Sequence, residues 1–184
     1  RIIFFYFFHV LIMANDSLFA AAPSFDQPLA VLKHCHDRIR KQLNTLNKLQ
    51  AHLLINGADQ QAQEAARAIL RYFTQAAPLH HEDEEEDLLP ALQSSVSDAD
   101  RASFEAHHAT IMEQHQTMAQ LWEQLKLQLQ AIEASQNTAL NPTLVEHFNR
   151  LYSSHMEIEE NHIAPLAART LSVEQFASMS LHMQ

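Results

Sequence analysis

The run His80-His81-Glu82-Asp83-Glu84-Glu85-Glu86-Asp87-Leu88-Leu89-Pro90 decides how this chain is read, because a second stretch, His155-Met156-Glu157-Ile158-Glu159-Glu160-Asn161-His162-Ile163-Ala164-Pro165, repeats its frame. Both read His-x-x-x-Glu-Glu, with a Pro at the tenth position after the His. The register extends upstream without a gap: Ile69 falls on Leu144 and Phe73 on Phe148. Alone, the first run reads as a solvated acidic face. A solvated face has no reason to recur in register, and Glu84 falls near the centre of the apolar stripe set by Ile69, Phe73 and Leu88. A carboxylate there must be paired or bound.

The segments around these runs are helical in pattern. Leu29, Leu32, Ile39, Leu43, Leu46 and Leu49 recur at helical spacing, from a start at Asp26 and Pro28 to a stop at Asn56-Gly57. Asp59 caps a second helix, in which Pro78 predicts a kink just before the His pair. A third helix starts near Ser97-Asp98, carries Phe104, Ile111, Met118, Trp122, Leu125 and Leu129, and stops around Ser135-Gln136-Asn137. Asn141-Pro142 opens a fourth helix with Leu144, Phe148, Leu151, Ile163 and Leu166. Ser172 and Gln175 stand at capping-box spacing for a last short helix. The expected fold class is all-α: an up-down-up-down four-helix bundle with a short C-terminal helix.

The first and third helices also match. Leu32 falls on Ile111, His36 on His115, Ile39 on Met118, Leu43 on Trp122 and Leu46 on Leu125. Each half is therefore a helical hairpin offering one His from its first helix and His-x-x-x-Glu from its second. Residues four apart share a helix face, so His80 with Glu84, and His155 with Glu159, can reach one region. The candidate metal ligands are His36, His80, Glu84, His115, His155 and Glu159. Imidazole with carboxylate suits iron, and facing carboxylates can bridge two ions. The pair His81/Glu85 is the rival frame, and His108 is the rival to His115. His34, His52, His107, His147 and His162 read as surface or supporting groups, and Trp122, Phe148 and Cys35 as core.

Composition narrows the classes. One Gly and thirteen His in 184 residues favour helix and point to metal. A formal net charge of -10 argues against nucleic acid. The single Cys35 excludes an intrachain disulfide and a Cys-based zinc or iron–sulfur site. No phosphate loop, nucleophile elbow or coenzyme fingerprint is present. Residues 1–12 are apolar but too short to span a bilayer. They are expected to lie upstream of a native start at Met13, or to end a signal peptide cut near Phe19–Ala22. Residues 1–27 are expected to form an N-terminal arm, and 28–184 the bundle.

Cys35-His36-Asp37-Arg38-Ile39, the two His-x-x-x-Glu runs and Gln114-His115 together resemble the hemerythrin-like family of HHE cation-binding domains over roughly residues 28–170. The resemblance implies a non-haem di-iron centre of two Fe ions and a small diatomic or peroxide ligand. Oxygen-carrying members have a second third-helix His one turn from the first; here those positions are Ile111 and Ala119. The set of four His and two Glu looks more like the di-iron proteins thought to repair iron–sulfur clusters. The expected function is to handle or sense O2, peroxide or NO, or to store iron. The alternative is an enzyme that repairs iron–sulfur centres or reduces peroxide or NO. No nucleic-acid or membrane partner is expected, and the expected location is cytoplasmic.

Overall fold

The structure, a computed structural model, describes residues 28–136 and 139–182. The expected N-terminal arm, the Asp26 start, the readings of residues 1–12 and the stop at Asn137 lie outside the described residues. Regular structure among the described residues is all helical, in five helices: α1 (Pro28–Asn56), α2 (60–95), α3 (Asp98–Glu133), α4 (142–170) and α5 (Val173–His182). Each of the first three packs on its successor, and α4 also packs on α1. Helix α5 lies across α1 and the 84–88 turn of α2.

The helix ends follow local chemistry. Gly57 adopts φ 65° and ends α1, a left-handed conformation that costs Gly little. The side chains of Asp59, Ser97 and Asn141 accept the backbone N–H of Ala62, Asp100 and Leu144 at the starts of α2, α3 and α4. Ser172 and Gln175 bond reciprocally ahead of α5.

Pro78 changes the hydrogen bonding of α2 where the sequence placed the disturbance, just before the His pair. The helix runs through it after one π turn, Tyr72–Ala76, closed by the Ala77 N–H bonding to the Tyr72 carbonyl. Two more π turns, Glu84–Leu88 and Glu159–Ile163, close in the same way on the carbonyls of Glu84 and Glu159. Each ends two residues before a Pro, at 78, 90 or 165. A widened turn absorbs the missing N–H and the clash of the proline ring with the preceding turn. The fold contains its own control. Ser153 occupies in α4 the place of Pro78 in α2, and the residues before it are regular α-helix.

The core is divided. One apolar cluster gathers Ile39, Leu46, Ile69, Phe73, Met118, Leu125 and Phe148; a second gathers Leu32, Leu89, Leu92, Phe104, Ile111, Ile163 and Leu166. Between them lies a layer of buried polar residues: His36, His80, Glu84, Gln114, His115, His155 and Glu159. Four helices thus contribute polar groups at one depth. The first cluster centres on Phe148, whose ring packs on Phe73, Tyr152 and Trp122 at centroid distances of 5.1, 4.9 and 6.1 Å. Phe148→Ala is expected to destabilise the protein by about 3–5 kcal/mol through the cavity it leaves, read as a lowered midpoint in urea unfolding.

Candidate metal centre

The polar layer is built by the repeat. His36 lies on α1, His80 and Glu84 on α2, His115 on α3, and His155 and Glu159 on α4. Counted along the helices, His115 on α3 need not lie at the depth of His155 on α4. The structure places its donor atom level with those of His155, Glu84 and Glu159. All six expected side chains meet.

Their donor atoms form two groups that share the carboxylates: His36, His80, Glu84 and Glu159 in one, and His115, His155, Glu84 and Glu159 in the other. In each group the donor atoms lie within 4.8 Å of one another. Glu84 turns its two oxygens to different sides. Oε1 lies 3.1 Å from His80 Nε2, and Oε2 lies 3.4 Å from His115 Nε2. Glu159 Oε2 stands between His36 Nε2 at 2.9 Å and His155 Nε2 at 3.3 Å. Adjacent donors around one ion, each about 2.1 Å from it, stand roughly 3 Å apart. The observed separations have that scale.

The second Glu of each motif holds a histidine of a neighbouring helix. One residue along an α-helix is a turn of about 100°, so Glu85 and Glu160 leave the centre that Glu84 and Glu159 face. His115 Nδ1–H donates to Glu85 Oε1 at 2.6 Å, and His36 Nδ1–H donates to Glu160 Oε1 at 2.9 Å. Arg40 clamps Glu160 from outside at 2.8 Å. His155 Nδ1–H donates to Gln114 Oε1 at 3.2 Å. These bonds fix the tautomers and leave each Nε2 with its lone pair aimed inward.

The inward atoms do not satisfy one another. His36 Nε2, both ring nitrogens of His80, Glu84 Oε2 and Glu159 Oε2 are fully buried without a hydrogen-bond partner. His115 Nε2 faces His155 Nε2 at 3.3 Å although both Nδ1 atoms already donate elsewhere, so two lone pairs point at each other. Buried groups left so cost several kcal/mol in total. Cations between them remove that cost, so the donor set fits metal.

Protonation follows burial. Burial pushes the Glu84 carboxyl well above the usual range, and neighbouring Glu159 adds to it. Burial holds the His80 and His155 imidazoles well below theirs. Burial also lowers His36, but Glu159 and Glu160 outweigh it and the net shift is upward. The Arg40 hydrogen bond brings Glu160 down to about 2.

A cavity of about 430 Å³ reaches the layer from one side. Its walls include Leu29, Leu32, Leu88 and Ile163, and its floor is His36, Glu84 and Glu159. It is an apolar approach to the His36 side of the centre.

The hemerythrin model, described as the HHE cation-binding domain, matches residues 27–167. The chain belongs to the hemerythrin HHE family. A relative from Haemophilus influenzae, described as an uncharacterized protein, is 29% identical over 160 residues, covering 87% of this chain and 90% of its own. As a hemerythrin domain the protein is a cation-binding fold, and its His/Glu layer has donor groups that could hold a metal ion. No helix among the described residues is long and apolar enough to cross a membrane.

Two of the rival residues, Glu85 and His108, turn away from the centre, and His81 stands beside it. Glu85 bonds outward to His115 instead of facing the centre, and His108 stacks on Phe104 at 5.5 Å. His81 lies at the flank, its ring 4.1 Å from that of His115. The roles of Glu85, Glu160 and Gln114 escaped the sequence reading. The signal was present: the repeat preserves both glutamates of each motif although one of each suffices to bridge.

Two outcomes are expected. Glu85→Ala and Glu160→Ala lower metal affinity about 10- to 100-fold by freeing His115 and His36, measured by competition with a chromophoric chelator. Metal loading in weakly buffered solution near neutral pH releases protons from Glu84 and His36 but none from the already neutral His80 and His155. Apparent affinity therefore falls as pH is lowered, as potentiometric titration would show.

Proposed function

We propose that this hemerythrin domain holds two iron ions and serves to handle or sense O2, peroxide or NO, or to store iron. One ion is assigned to His36 and His80, the other to His115 and His155, with Glu84 and Glu159 shared. The observation that carries the reading is the pair of four-residue donor groups with both carboxylates in common. Two shared carboxylates balance part of the charge of two divalent ions and hold them close. Nitrogen and oxygen donors without sulfur suit iron among the redox metals. The helices read as an up-down-up-down four-helix bundle in this proposal, the architecture in which such carboxylate sites recur.

The residues divide the work. Glu84 and Glu159 set the spacing of the ions. The four imidazoles hold the outer ends, and Glu85, Glu160 and Gln114 keep them aimed. The mainly apolar cavity gives a small molecule a way to the His36 side, past Lys33 and Glu160 in its lining. When bound, the iron pair supplies a coordination position and electrons for such a molecule. The cavity also favours an enzymatic variant of the reading, in which peroxide or NO is reduced there. Turnover of peroxide by the loaded protein no faster than by free iron would remove that variant.

Anaerobic titration with Fe(II) is expected to saturate at two irons per chain, and exposure to O2 to produce a charge-transfer absorption band. Saturation below two, or no band, overturns the reading. Iron at about one hundred times its Kd should also stabilise the fold by about 2.7 kcal/mol, seen as a raised Tm. His80→Ala with His155→Ala should abolish that rise; an unchanged Tm in both proteins with and without iron would leave a helical scaffold only.

A further inference from the structure

Each imidazole of the layer that aims Nε2 inward has a second nitrogen to satisfy. His36 Nδ1 is held by Glu160 of α4, His115 Nδ1 by Glu85 of α2 and His155 Nδ1 by Gln114 of α3. His80 is the exception. Its side chain is 1% exposed, and its Nδ1 is fully buried without a hydrogen-bond partner. A buried N–H in that condition is costly. A ligand imidazole without its second bond also lacks the orientation and basicity that such a bond supplies.

The internal repeat says where the acceptor belongs. The bonds His36–Glu160 and His115–Glu85 are one arrangement made twice, because His36 matches His115 and Glu85 matches Glu160. Gln114 precedes His115 on α3 and holds His155 of α4. Carried to the other half, that arrangement sets the residue before His36 on α1 against His80 of α2. The residue is Cys35, the single cysteine of the chain, with a free thiol.

Contacts of Cys35 agree with this placement. Its carbonyl accepts the Tyr72 hydroxyl at 3.3 Å, and Asp83 is close enough to act on its thiol. Tyr72 and Asp83 bracket His80 on α2, about two turns before it and one turn after it. Cys35 therefore faces the stretch of α2 that carries His80. A thiol side chain is shorter than an amide, but sulfur is larger than oxygen and accepts an N–H at a greater distance. Rotation about the single Cα–Cβ bond sets where the sulfur stands, without moving α1.

We infer that Cys35 is the positioning residue for His80: its sulfur accepts the Nδ1–H of metal-bound His80, as Gln114 Oε1 accepts that of His155. The assignment rests on the di-iron reading above. It gives Cys35 a part in the centre without making it a ligand, and no metal-donor group among the described residues includes it.

The test uses the full chain loaded anaerobically with Fe(II), in four forms: the parent, Cys35→Ala, Cys35→Ser and Gln114→Ala. Chelator competition reads affinity, and proton NMR of the loaded protein reads the iron-shifted imidazole N–H signals that exchange with water. The parent is expected to bind two irons and to show four such signals, one for each ligand His. In Cys35→Ala one iron is expected to bind about ten-fold or more weakly, with one signal broadened by exchange and three unaltered. Cys35→Ser keeps an acceptor and is expected to restore that signal, with affinity within about three-fold of the parent. Gln114→Ala is expected to broaden a different signal. Parent-like affinity and four unaltered signals in Cys35→Ala would overturn the assignment while leaving the di-iron reading intact. Equal losses in Cys35→Ala and Cys35→Ser would trace the effect to packing and overturn it as well. A parent that binds fewer than two irons removes both readings. If Cys35→Ala does not fold, as judged by helical circular dichroism, Cys35→Val replaces it, with the same loss expected and the same unaltered result overturning the assignment.

Discussion

Glu84 and Glu159 lie together in the middle of a helical core, 1% and 6% exposed, between two apolar clusters. Two carboxylates at that depth are unfavourable unless something positive stands between and around them. Burial pushes the His80 and His155 imidazoles toward their neutral form, and His36 is pushed toward its charged form. Without cations the protein limits the charge of the pair by favouring protons on Glu84 and His36. It is a fold that leaves one stratum of its interior to be completed by cations, and the packing on either side fixes that stratum in place.

The backbone shows how the layer is made twice. Glu84 and Glu159 each stand at the first residue of a π turn, and each turn ends two residues before a proline. The widened turns fall at the same place in both halves, so the repeat extends from side chains to hydrogen bonding. Around this near two-fold plan the differences carry meaning. Arg40 clamps Glu160, while no comparable cation meets Glu85 among the ion pairs. His81 and Met156 differ in chemistry at matching positions. The apolar cavity opens on the His36 side.

The helical periodicity of apolar residues was legible from the chain, and so were the caps at Asp59, Ser97, Asn141 and Ser172, because both depend on neighbours a few residues apart. The six central side chains were legible for a different reason: two copies of one hairpin must present equivalent residues to their shared axis, and an alignment of the chain with itself finds them. Spacing alone left His80/Glu84 against His81/Glu85 open, since a shift of one residue preserves the motif. Burial distinguishes the two frames: Glu84 is enclosed, whereas Glu85 is turned toward His115 at the edge of the layer.

Sequence by itself determined that the chain is helical, that its halves repeat, and that histidine and glutamate recur where apolar residues should be. Those are properties of local order and of self-similarity, which the chain carries without folding. Only the tertiary structure decided that Glu85 and Glu160 aim histidines on other helices, that the turn before Pro78 is a π turn, that His81 sits beside His115, and that the cavity meets one end of the layer. Each of these depends on the rotation of one helix against another. A turn of about 100° per residue changes which neighbour a side chain meets, and packing of the whole core sets that angle.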